Sequence, residues 1–399
     1  MISEKMYSLG ASPSKIRDIF EYGKKKKAEL GEENVYDFSI GNPSVSPPDQ
    51  VMKEIEDLVK NSDTVELFGY TSGPGDMKVR EAISDYINRT HGTDLDAGHI
   101  YMTCGAAASL TITIKALTPD SEEKNEFITF APYFPEYKVF VENAGADFIT
   151  ARSDSETFQP DIDDLEKKLT PYTRGIIINS PNNPTGAVIT KENIEKLSAL
   201  LKKKEAEYGH EIYLISDEPY RELVYGDAEV VYPMNCYDDT IVCYSYSKSL
   251  SLPGERIGYI AVSNRIAKDN ETYLSICGAG RSMGYVCAPS LIQKVIAKCQ
   301  GLTSDISVYK KNRDILAGAL REYGYYVVQP DGAFYLFVRS LESDANAFAE
   351  KAKGYNILFV PSDSFGVTGY VRISYCVSQE MIERSLPAFK ELAKSYGIG

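Results

Sequence analysis

Residues 243–259 have the sequence CYSYSKSLSLPGERIGY. The β-branched and aromatic residues at 241–244 predict a short strand, because the small hydroxyl residues that follow would end it. The loop after this strand contains one lysine, Lys248, among serines, and Arg256 lies eight residues further along the chain. A lone lysine in a serine-rich loop is usually a solvated charge. A catalytic role for Lys248 therefore needs support from other parts of the sequence.

The chemical alternative for this loop is a cofactor site. A lysine amine forms a Schiff base with an aldehyde cofactor, while serine hydroxyls and a guanidinium fork hold a phosphate group. Ser245, Ser247 and Arg256 supply these phosphate-binding groups close to Lys248 in the sequence. This combination predicts pyridoxal phosphate (PLP) as the cofactor.

The same stretch resembles the lysine signature of class I aminotransferases, the aspartate aminotransferase-like branch of the type I fold of PLP-dependent enzymes. In that signature a serine lies three residues before the lysine, an arginine lies eight residues after it, and Gly-Tyr follows. Ser245, Lys248, Arg256, Gly258 and Tyr259 match these positions. The resemblance implies that Lys248 is catalytic and that the serines and the arginine hold the cofactor phosphate.

Two motifs that follow predicted strands extend the resemblance. Asp217 comes after an apolar run, at the edge where open α/β sheets bind ligands, although an aspartate there also caps turns. Asn183 lies in an Asn-Pro-Thr-Gly turn, where an asparagine often hydrogen-bonds its own backbone. The resemblance implies that Asp217 pairs with the pyridine nitrogen. It also implies that Asn183 and Tyr220 bind the phenolic oxygen, that Tyr220 takes part in catalysis, and that Asn183 contacts the substrate.

A turn of small residues and an aromatic loop complete the expected cofactor site. Gly105, Ala106 and Ala107 begin a predicted helix and are small enough for backbone N–H groups to approach a phosphate, although a glycine before a helix is often only structural. Aromatic residues in the next loop would ordinarily belong to the core. The resemblance implies that one of them stacks on the cofactor ring. Alignment of the prolines selects Phe134, with Tyr133 as the alternative.

Three further residues are expected to contact the substrate or the cofactor phosphate. Arg372 lies in an apolar strand and is costly to bury without an anion, which either a structural carboxylate or a ligand supplies. The resemblance favours the ligand, namely the substrate α-carboxylate. It also implies that the backbone of Gly41 approaches this carboxylate, whereas the alternative is a glycine that only permits a turn. Tyr70 matches a tyrosine that crosses a dimer interface to the neighbouring subunit's cofactor phosphate, so a homodimer is expected.

Arg281 is a candidate for substrate specificity. It lies 33 residues after Lys248, near the place where dicarboxylate-specific members carry an arginine that crosses the dimer interface to the distal carboxylate of aspartate or glutamate. The flanking glycines would permit a tight loop there. In those members Pro-Met follows the arginine, whereas Ser282 and Met283 follow it here. An ion pair with a surface acid is the structural alternative, and an aromatic or sulfur amino acid is the alternative substrate.

The composition of the 399-residue chain limits other functions. Its 43 basic and 57 acidic residues give a net charge of −14, which argues against nucleic acid or an anionic membrane as a partner. Seven cysteines without C-x-x-C spacing indicate reduced thiols, and three histidines offer little for a His-based triad or a zinc site, so no metal is predicted. The sequence contains no apolar leader and no apolar run of about 18 residues, so a cytoplasmic enzyme is expected.

The order of apolar runs predicts the architecture. Runs near residues 101, 127, 147, 176, 212, 241 and 258 alternate with helical segments, which predicts an α/β fold with a mostly parallel, doubly wound seven-stranded sheet. After about residue 290 the pattern changes to a smaller α+β unit. Together with the resemblance, this predicts the type I fold of PLP-dependent transferases, with a large PLP-binding domain at 46–289 and a small domain formed by 1–45 and 290–399.

The resemblance therefore implies a PLP-dependent aminotransferase that moves an amino group between an L-amino acid and a 2-oxo acid, with aspartate or glutamate as candidate donors. A PLP-dependent C–S lyase on the same fold and an aromatic amino acid aminotransferase are the alternatives within this fold. A PLP-binding regulatory domain would need a DNA-binding segment, which the sequence lacks. A binding protein without PLP is the remaining alternative.

Overall fold

A computed structural model describes residues 2–12, 14–120 and 124–398. The helices of these residues are α1 (Glu4–Ala11), α2 (Lys15–Leu30), α3 (Asp49–Asn61), α4 (Thr64–Phe68), α5 (Met77–His91), α6 (Ala106–Ala116), α7 (Glu136–Ala144), α8 (Ile162–Lys168), α9 (Lys191–Tyr208), α10 (Tyr246–Ser249), α11 (Asp269–Ser282), α12 (Ser290–Ala297), α13 (Ile306–Glu322), α14 (Ala345–Lys353) and α15 (Gln379–Lys394). The strands are β1 (Tyr36–Asp37), β2 (Ile100–Thr103), β3 (Glu126–Ala131), β4 (Asp147–Arg152), β5 (Thr173–Asn179), β6 (Tyr213–Asp217), β7 (Thr240–Ser245), β8 (Gly258–Val262), β9 (Tyr335–Arg339), β10 (Ile357–Leu358), β11 (Val360–Pro361) and β12 (Tyr370–Ser374).

The largest sheet has seven strands in the order β2-β8-β7-β6-β5-β3-β4. Neighbouring strands from β4 to β7 pair in parallel, whereas β8 runs antiparallel to both β7 and β2. Each of the seven apolar runs in the sequence forms one of these strands. The predicted mostly parallel seven-stranded sheet is therefore confirmed.

Helices cover both faces of this sheet. Ile177 of β5 belongs to a core that includes α6, whereas its neighbour Ile176 belongs to a core that includes Leu197 of α9. Successive residues of a strand point to opposite faces, so both faces of the central strands are buried. This explains why these strands are nearly continuous apolar runs in the sequence and not alternating patterns.

The carboxyl ends of the central strands bring the polar motifs together. Asn179 at the end of β5 pairs in register with Asp217 at the end of β6, and Asp217 pairs with Cys243, two residues before β7 ends at Ser245. Strand β2 runs in the same direction as β7, since each is antiparallel to β8. The start of α6, just after β2, therefore lies at the same edge of the sheet.

A second, smaller core is formed mainly by the C-terminal part of the chain. The three-stranded antiparallel sheet β11-β12-β9 packs with α13 and α15, and β1 near the N-terminus pairs in parallel with β10. Helix α12 packs instead against α3 and α5, in the core that contains Val51 and Ile83. The change in packing partners thus comes after α12 and does not coincide with residue 290. The division into two domains remains a prediction.

Candidate active site

A cleft of about 280 Å³ lies at the carboxyl edge of the large sheet, where β9 and β12 of the small sheet approach it. Its lining includes most of the residues that the sequence singles out, namely Gly41, Ala106, Ala107, Phe134, Asn183, Asp217, Tyr220, Ser245, Ser247, Lys248, Arg256 and Arg372. Three predicted residues, Gly105, Tyr70 and Arg281, are not part of this lining. The structure thus gathers residues from positions 41 to 372 into one cavity of the size that small ligands occupy.

Lys248 lies in the one-turn helix α10, directly after β7. Its Nζ donates a hydrogen bond to the carbonyl oxygen of Gly41 at 2.6 Å and lies 5.5 Å from the centre of the Phe334 ring. Burial lowers the pKa of Lys248 to about 8, and the positive charges of Arg372 and Arg256 act in the same direction. An amine with this pKa is partly neutral near neutral pH, as a nucleophile or proton carrier must be.

Asp217 is the last residue of β6 and is buried. Its Oδ2 accepts a hydrogen bond from the hydroxyl of Tyr137 at 2.5 Å. Its Oδ1 is buried and has no hydrogen-bond partner among the described residues. Burial raises the pKa of Asp217 to about 7, while the hydrogen bond from Tyr137 acts in the opposite direction. One carboxylate oxygen is therefore available to a ligand that donates a proton.

Arg372 lies in β12 with only 2% of its surface exposed, and burial lowers its pKa. Its two terminal nitrogens donate to Oδ1 of Asn183 at 3.0 Å and to the carbonyl oxygen of Ser39 at 2.6 Å. No carboxylate among the described residues forms an ion pair with it. A buried guanidinium without an anionic partner is costly, so an anionic ligand is favoured over a structural carboxylate.

A cradle suited to an anion lies at the start of α6. Gly105 precedes the helix with a φ of 86°, and a Cβ atom there would come within 2.7 Å of a terminal nitrogen of Arg256. Arg256 donates to Oγ of Ser247 at 3.4 Å and to the carbonyl oxygen of Cys104 at 3.1 Å. The hydroxyls of Ser245 and Ser247 are 2.8 Å apart. Helix N–H groups, hydroxyls and a guanidinium are the groups that bind phosphate in proteins.

The aromatic loop before α7 presents one ring to the cleft. Phe134 lines the cleft and packs edge-on against Tyr137, with ring centres 5.6 Å apart. Tyr133 does not line the cleft and packs against Phe148, with ring centres 5.0 Å apart. The geometry therefore favours Phe134 over Tyr133 as a residue that stacks on a ligand.

Residues 33–389 match the family described as aminotransferase class I and II. The chain belongs to this family. The crystal structure of an amino transferase from Eubacterium rectale is 56% identical in sequence and has a TM-score of 0.97, with 99% of each chain covered. A probable aspartate aminotransferase from Methanocaldococcus jannaschii is 29% identical over 98% of this chain and 100% of its own length. Aromatic-amino-acid aminotransferase 2 from Thermococcus litoralis is 27% identical over 96% of each chain.

These comparisons confirm the predicted family, the predicted fold and the prediction of an aminotransferase. Enzymes of this family are PLP-dependent transferases that act on amino acids and 2-oxo acids. The names of the relatives favour transamination over the C–S lyase alternative. None of the described helices has the length and apolar character needed to cross a membrane.

Two residues expected to act across a subunit interface lie outside the cleft of this aminotransferase. Tyr70 is fully exposed. Arg281 is also exposed and lies in the last turn of α11, so the tight loop that the flanking glycines would permit does not form there. Gly280 of the same helix packs against Tyr101, where a Cβ atom would overlap the tyrosine hydroxyl. Arg281 forms no ion pair with a described residue, which argues against the surface-pair alternative.

Sequence reasoning missed three contributors to the site. The hydroxyl of Tyr137 donates a hydrogen bond to Asp217, and the carbonyl oxygen of Ser39 accepts one from Arg372. The hydroxyl of Tyr335 lies 2.8 Å from that of Tyr220. The structure also gives a reason for Gly41 that the sequence did not suggest, because a Cβ atom there would overlap the Tyr335 hydroxyl. Tyr137 lies only three residues after Phe134, and this proximity was the available signal for one of the three.

Proposed function

We propose that this aminotransferase binds PLP in the cleft through Lys248 and moves an amino group between an L-amino acid and a 2-oxo acid. The observation that carries the proposal is that one cleft combines a buried amine of lowered pKa, a carboxylate oxygen without a partner and a guanidinium without a carboxylate. These are Lys248, Asp217 and Arg372. Each group is costly to bury alone. The aldehyde and the protonated ring nitrogen of PLP would satisfy Lys248 and Asp217, and the carboxylate of an amino acid substrate would satisfy Arg372.

The surrounding residues fit the chemical groups of PLP. Oδ1 of Asp217 is free to accept a hydrogen bond from the protonated ring nitrogen. The hydroxyl of Tyr220 and the side chain of Asn183 line the cleft as candidates for the phenolic oxygen, and the ring of Phe134 provides a stacking surface. The phosphate would be held by the start of α6 at Gly105, Ala106 and Ala107, together with the Ser245, Ser247 and Arg256 side chains.

The catalytic roles follow from these positions. When bound, PLP supplies a ring that accepts electrons as a bond to the substrate Cα breaks. Asp217 keeps a proton on the ring nitrogen, and a positive charge there would lower the pKa of this aspartate from the raised value it has when the cleft holds no ligand. Nζ of Lys248 removes the proton from the substrate Cα and carries it within the cleft. Arg372 binds the α-carboxylate with its planar fork and so fixes the direction of the Cα–H bond.

A homodimer completes the proposal. A tyrosine that is fully exposed in one subunit is available to a neighbouring subunit, and we assign Tyr70 to the phosphate of the neighbouring site. The cleft lining described above contains no cation besides Lys248, Arg256 and Arg372. A second substrate carboxylate would therefore need a cation from outside, and the unpaired Arg281 is the candidate. Aspartate and glutamate are the substrates that such a contact would select.

Borohydride reduction of the purified protein, followed by peptide mapping, tests the assignment. The reduced cofactor should be found on Lys248, and Lys248→Ala should lower kcat by at least about 10⁴-fold because it removes both the covalent anchor and the proton carrier. A reduced pyridoxyl group on any other lysine contradicts the proposal. Conversion of amino acids to 2-oxo acids should also exceed pyruvate release from cystathionine, and the reverse result would indicate a C–S lyase.

A further inference from the structure

Tyr335 lies between two residues of the proposed site. It is the first residue of β9, has 2% of its surface exposed and lines the cleft. Its hydroxyl oxygen is 2.8 Å from the hydroxyl oxygen of Tyr220, and its ring centre is 4.7 Å from the guanidinium carbon of Arg372. One side chain thus contacts both the candidate for the cofactor's phenolic oxygen and the candidate for the substrate carboxylate.

The two hydroxyls are 2.8 Å apart, and either oxygen can donate to the other. A tyrosine hydroxyl has one proton to donate and also accepts hydrogen bonds. Burial raises the pKa of Tyr335 to about 12, so the hydroxyl keeps its proton at ordinary pH. An anionic phenolic oxygen only accepts hydrogen bonds, so with such a ligand Tyr220 would donate to the ligand and Tyr335 would donate to Tyr220. A hydroxyl that accepts a hydrogen bond is also a stronger donor, since neighbouring hydrogen bonds polarise one another.

The ring contact restricts the orientation of Arg372. Two of its nitrogens donate to Asn183 and Ser39, and its guanidinium carbon lies over two aromatic rings, 5.2 Å from the centre of Phe365 and 4.7 Å from the centre of Tyr335. Two hydrogen bonds and two ring contacts together restrict the plane of the guanidinium. Bidentate binding of a carboxylate depends on that plane.

We propose that Tyr335 is a positioning residue that acts through both neighbours. Its hydroxyl directs the proton of Tyr220 toward the phenolic oxygen of the cofactor, and its ring sets the plane of Arg372 for the substrate carboxylate. This inference rests on the proposed function, because it presupposes the roles of Tyr220 and Arg372.

The hydroxyl part is tested with Tyr335→Phe, which keeps the ring. The readout is the pH at which the absorbance of the bound cofactor changes, because this pH reports how well the protein stabilises the anionic phenolic oxygen. It should rise by about 0.5–1 unit, since Tyr220 becomes a weaker donor. Tyr325→Phe is the matched control, because Tyr325 is buried, donates to the carbonyl oxygen of Phe389 at 2.8 Å and does not line the cleft. Its titration should match that of the wild type.

A double-mutant cycle separates action through Tyr220 from a general structural effect. In a Tyr220→Phe background, Tyr335→Phe should cause almost no further shift, because the residue through which it acts is already gone. If Tyr335→Phe does not yield folded protein, 3-fluorotyrosine at position 335 keeps the shape and makes the hydroxyl a stronger donor. The titration should then move to lower pH. A downward shift in Tyr335→Phe, or equal shifts in both backgrounds, overturns the hydroxyl part.

The ring part is tested with Tyr335→Leu. Inhibition by propionate, a carboxylate that lacks an amino group, should be nearly unchanged in Tyr335→Phe and weaker by about 3- to 30-fold in Tyr335→Leu. Equal inhibition constants in the two variants overturn this part.

The outcomes of these experiments also separate the role of Tyr335 from the proposed function. A wild type without bound PLP contradicts the proposed function, whereas a wild type with PLP and a Tyr335→Phe variant that titrates like it contradicts only the role of Tyr335.

Discussion

The hydroxyl of Tyr137 donates to Oδ2 of Asp217 at 2.5 Å, while Oδ1 of the same carboxylate has no partner among the described residues. Only one of the two oxygens of this buried carboxylate is therefore hydrogen-bonded. The hydrogen bond fixes the orientation of the carboxylate and favours its ionised form, and the free oxygen is left for a donor that enters the cleft. Tyr137 itself stays neutral, because burial raises its pKa well above the usual value.

Tyr137→Phe should therefore weaken the ionised form of Asp217. Loss of the hydrogen bond raises the pKa of Asp217, so the acid limb of the pH profile of kcat should move to higher pH by about 0.5–1 unit. Tyr133→Phe is the matched control, because this neighbouring tyrosine packs against Phe148 and does not line the cleft. An unchanged acid limb in Tyr137→Phe would contradict this role.

Capture of PLP by the apoprotein should depend on pH in the way that the Lys248 pKa dictates. Only the neutral amine attacks an aldehyde, so the rate should rise with pH and level off above about 8. Arg372→Met should move the plateau to higher pH, because a positive charge that lowers the Lys248 pKa is removed. Arg372→Lys keeps the charge and should leave the plateau in place. A rate that keeps rising up to the ordinary lysine pKa of 10.5 contradicts the burial argument.

The free energy of unfolding of the apoprotein should change with pH as Asp217 ionises. Its folded-state pKa is raised from 3.8 to about 7, so ionisation of this buried group destabilises the apoprotein progressively from about pH 4 to pH 7 and fully above that window. Asp217→Asn lacks this cost. Its free energy of unfolding should exceed that of the wild type by up to about 4 kcal/mol at pH 8, with the difference shrinking toward pH 4. Urea titrations of both apoproteins at several pH values measure this difference in the free energy of unfolding. A difference that does not change with pH would contradict the raised pKa of Asp217.

The fold was predictable because the large sheet is built from apolar runs whose ends carry polar motifs. Asn179, Asp217 and Ser245 end neighbouring strands of like direction, so their order in the sequence already indicated that they meet. The start of α6 joins them because β2 runs in the same direction as β7. The strand ends together with the family resemblance therefore singled out most of the residues that line the candidate site.

The residues that sequence reasoning missed are held by contacts that local patterns do not report. Tyr137 and Asp217 are 80 positions apart, and Tyr220 and Tyr335 are 115 apart. The chain contains 29 tyrosines, so residue type alone could not single these out. The glycines near Arg281 would permit a loop, but this segment is helical and Gly280 packs against Tyr101. Tertiary context overrides local preference here, and the local sequence does not report such a contact.

The dimer predicted from Tyr70 can be tested by subunit mixing. Tyr70→Phe and Lys248→Ala subunits should each have low activity, because each homodimer has two damaged sites. In a mixed dimer one site receives the wild-type residue from both subunits, so activity should reappear on mixing. Tyr172→Phe offers a control at another exposed tyrosine and should be fully active alone. Full activity of a strictly monomeric species in sedimentation would contradict the prediction.

Arg281 is expected to distinguish between two substrate classes. It is exposed, unpaired and outside the cleft of its own subunit, so a contact with a distal substrate carboxylate has to be made in the neighbouring subunit. Arg281→Ala should then lower kcat/KM for aspartate by about 30- to 4000-fold, the range for a lost buried charge pair of about 2–5 kcal/mol. Activity toward alanine, which lacks the second carboxylate, should change far less. Arg384→Ala, at another exposed arginine, on α15, should alter neither value.

The substrate preference of the wild type gives a second test. If it does not prefer aspartate or glutamate over leucine and tyrosine, the dicarboxylate assignment is wrong whatever the variant does. The apolar side chains of Ile16, Ile40 and Leu110 in the cleft would then indicate a hydrophobic substrate.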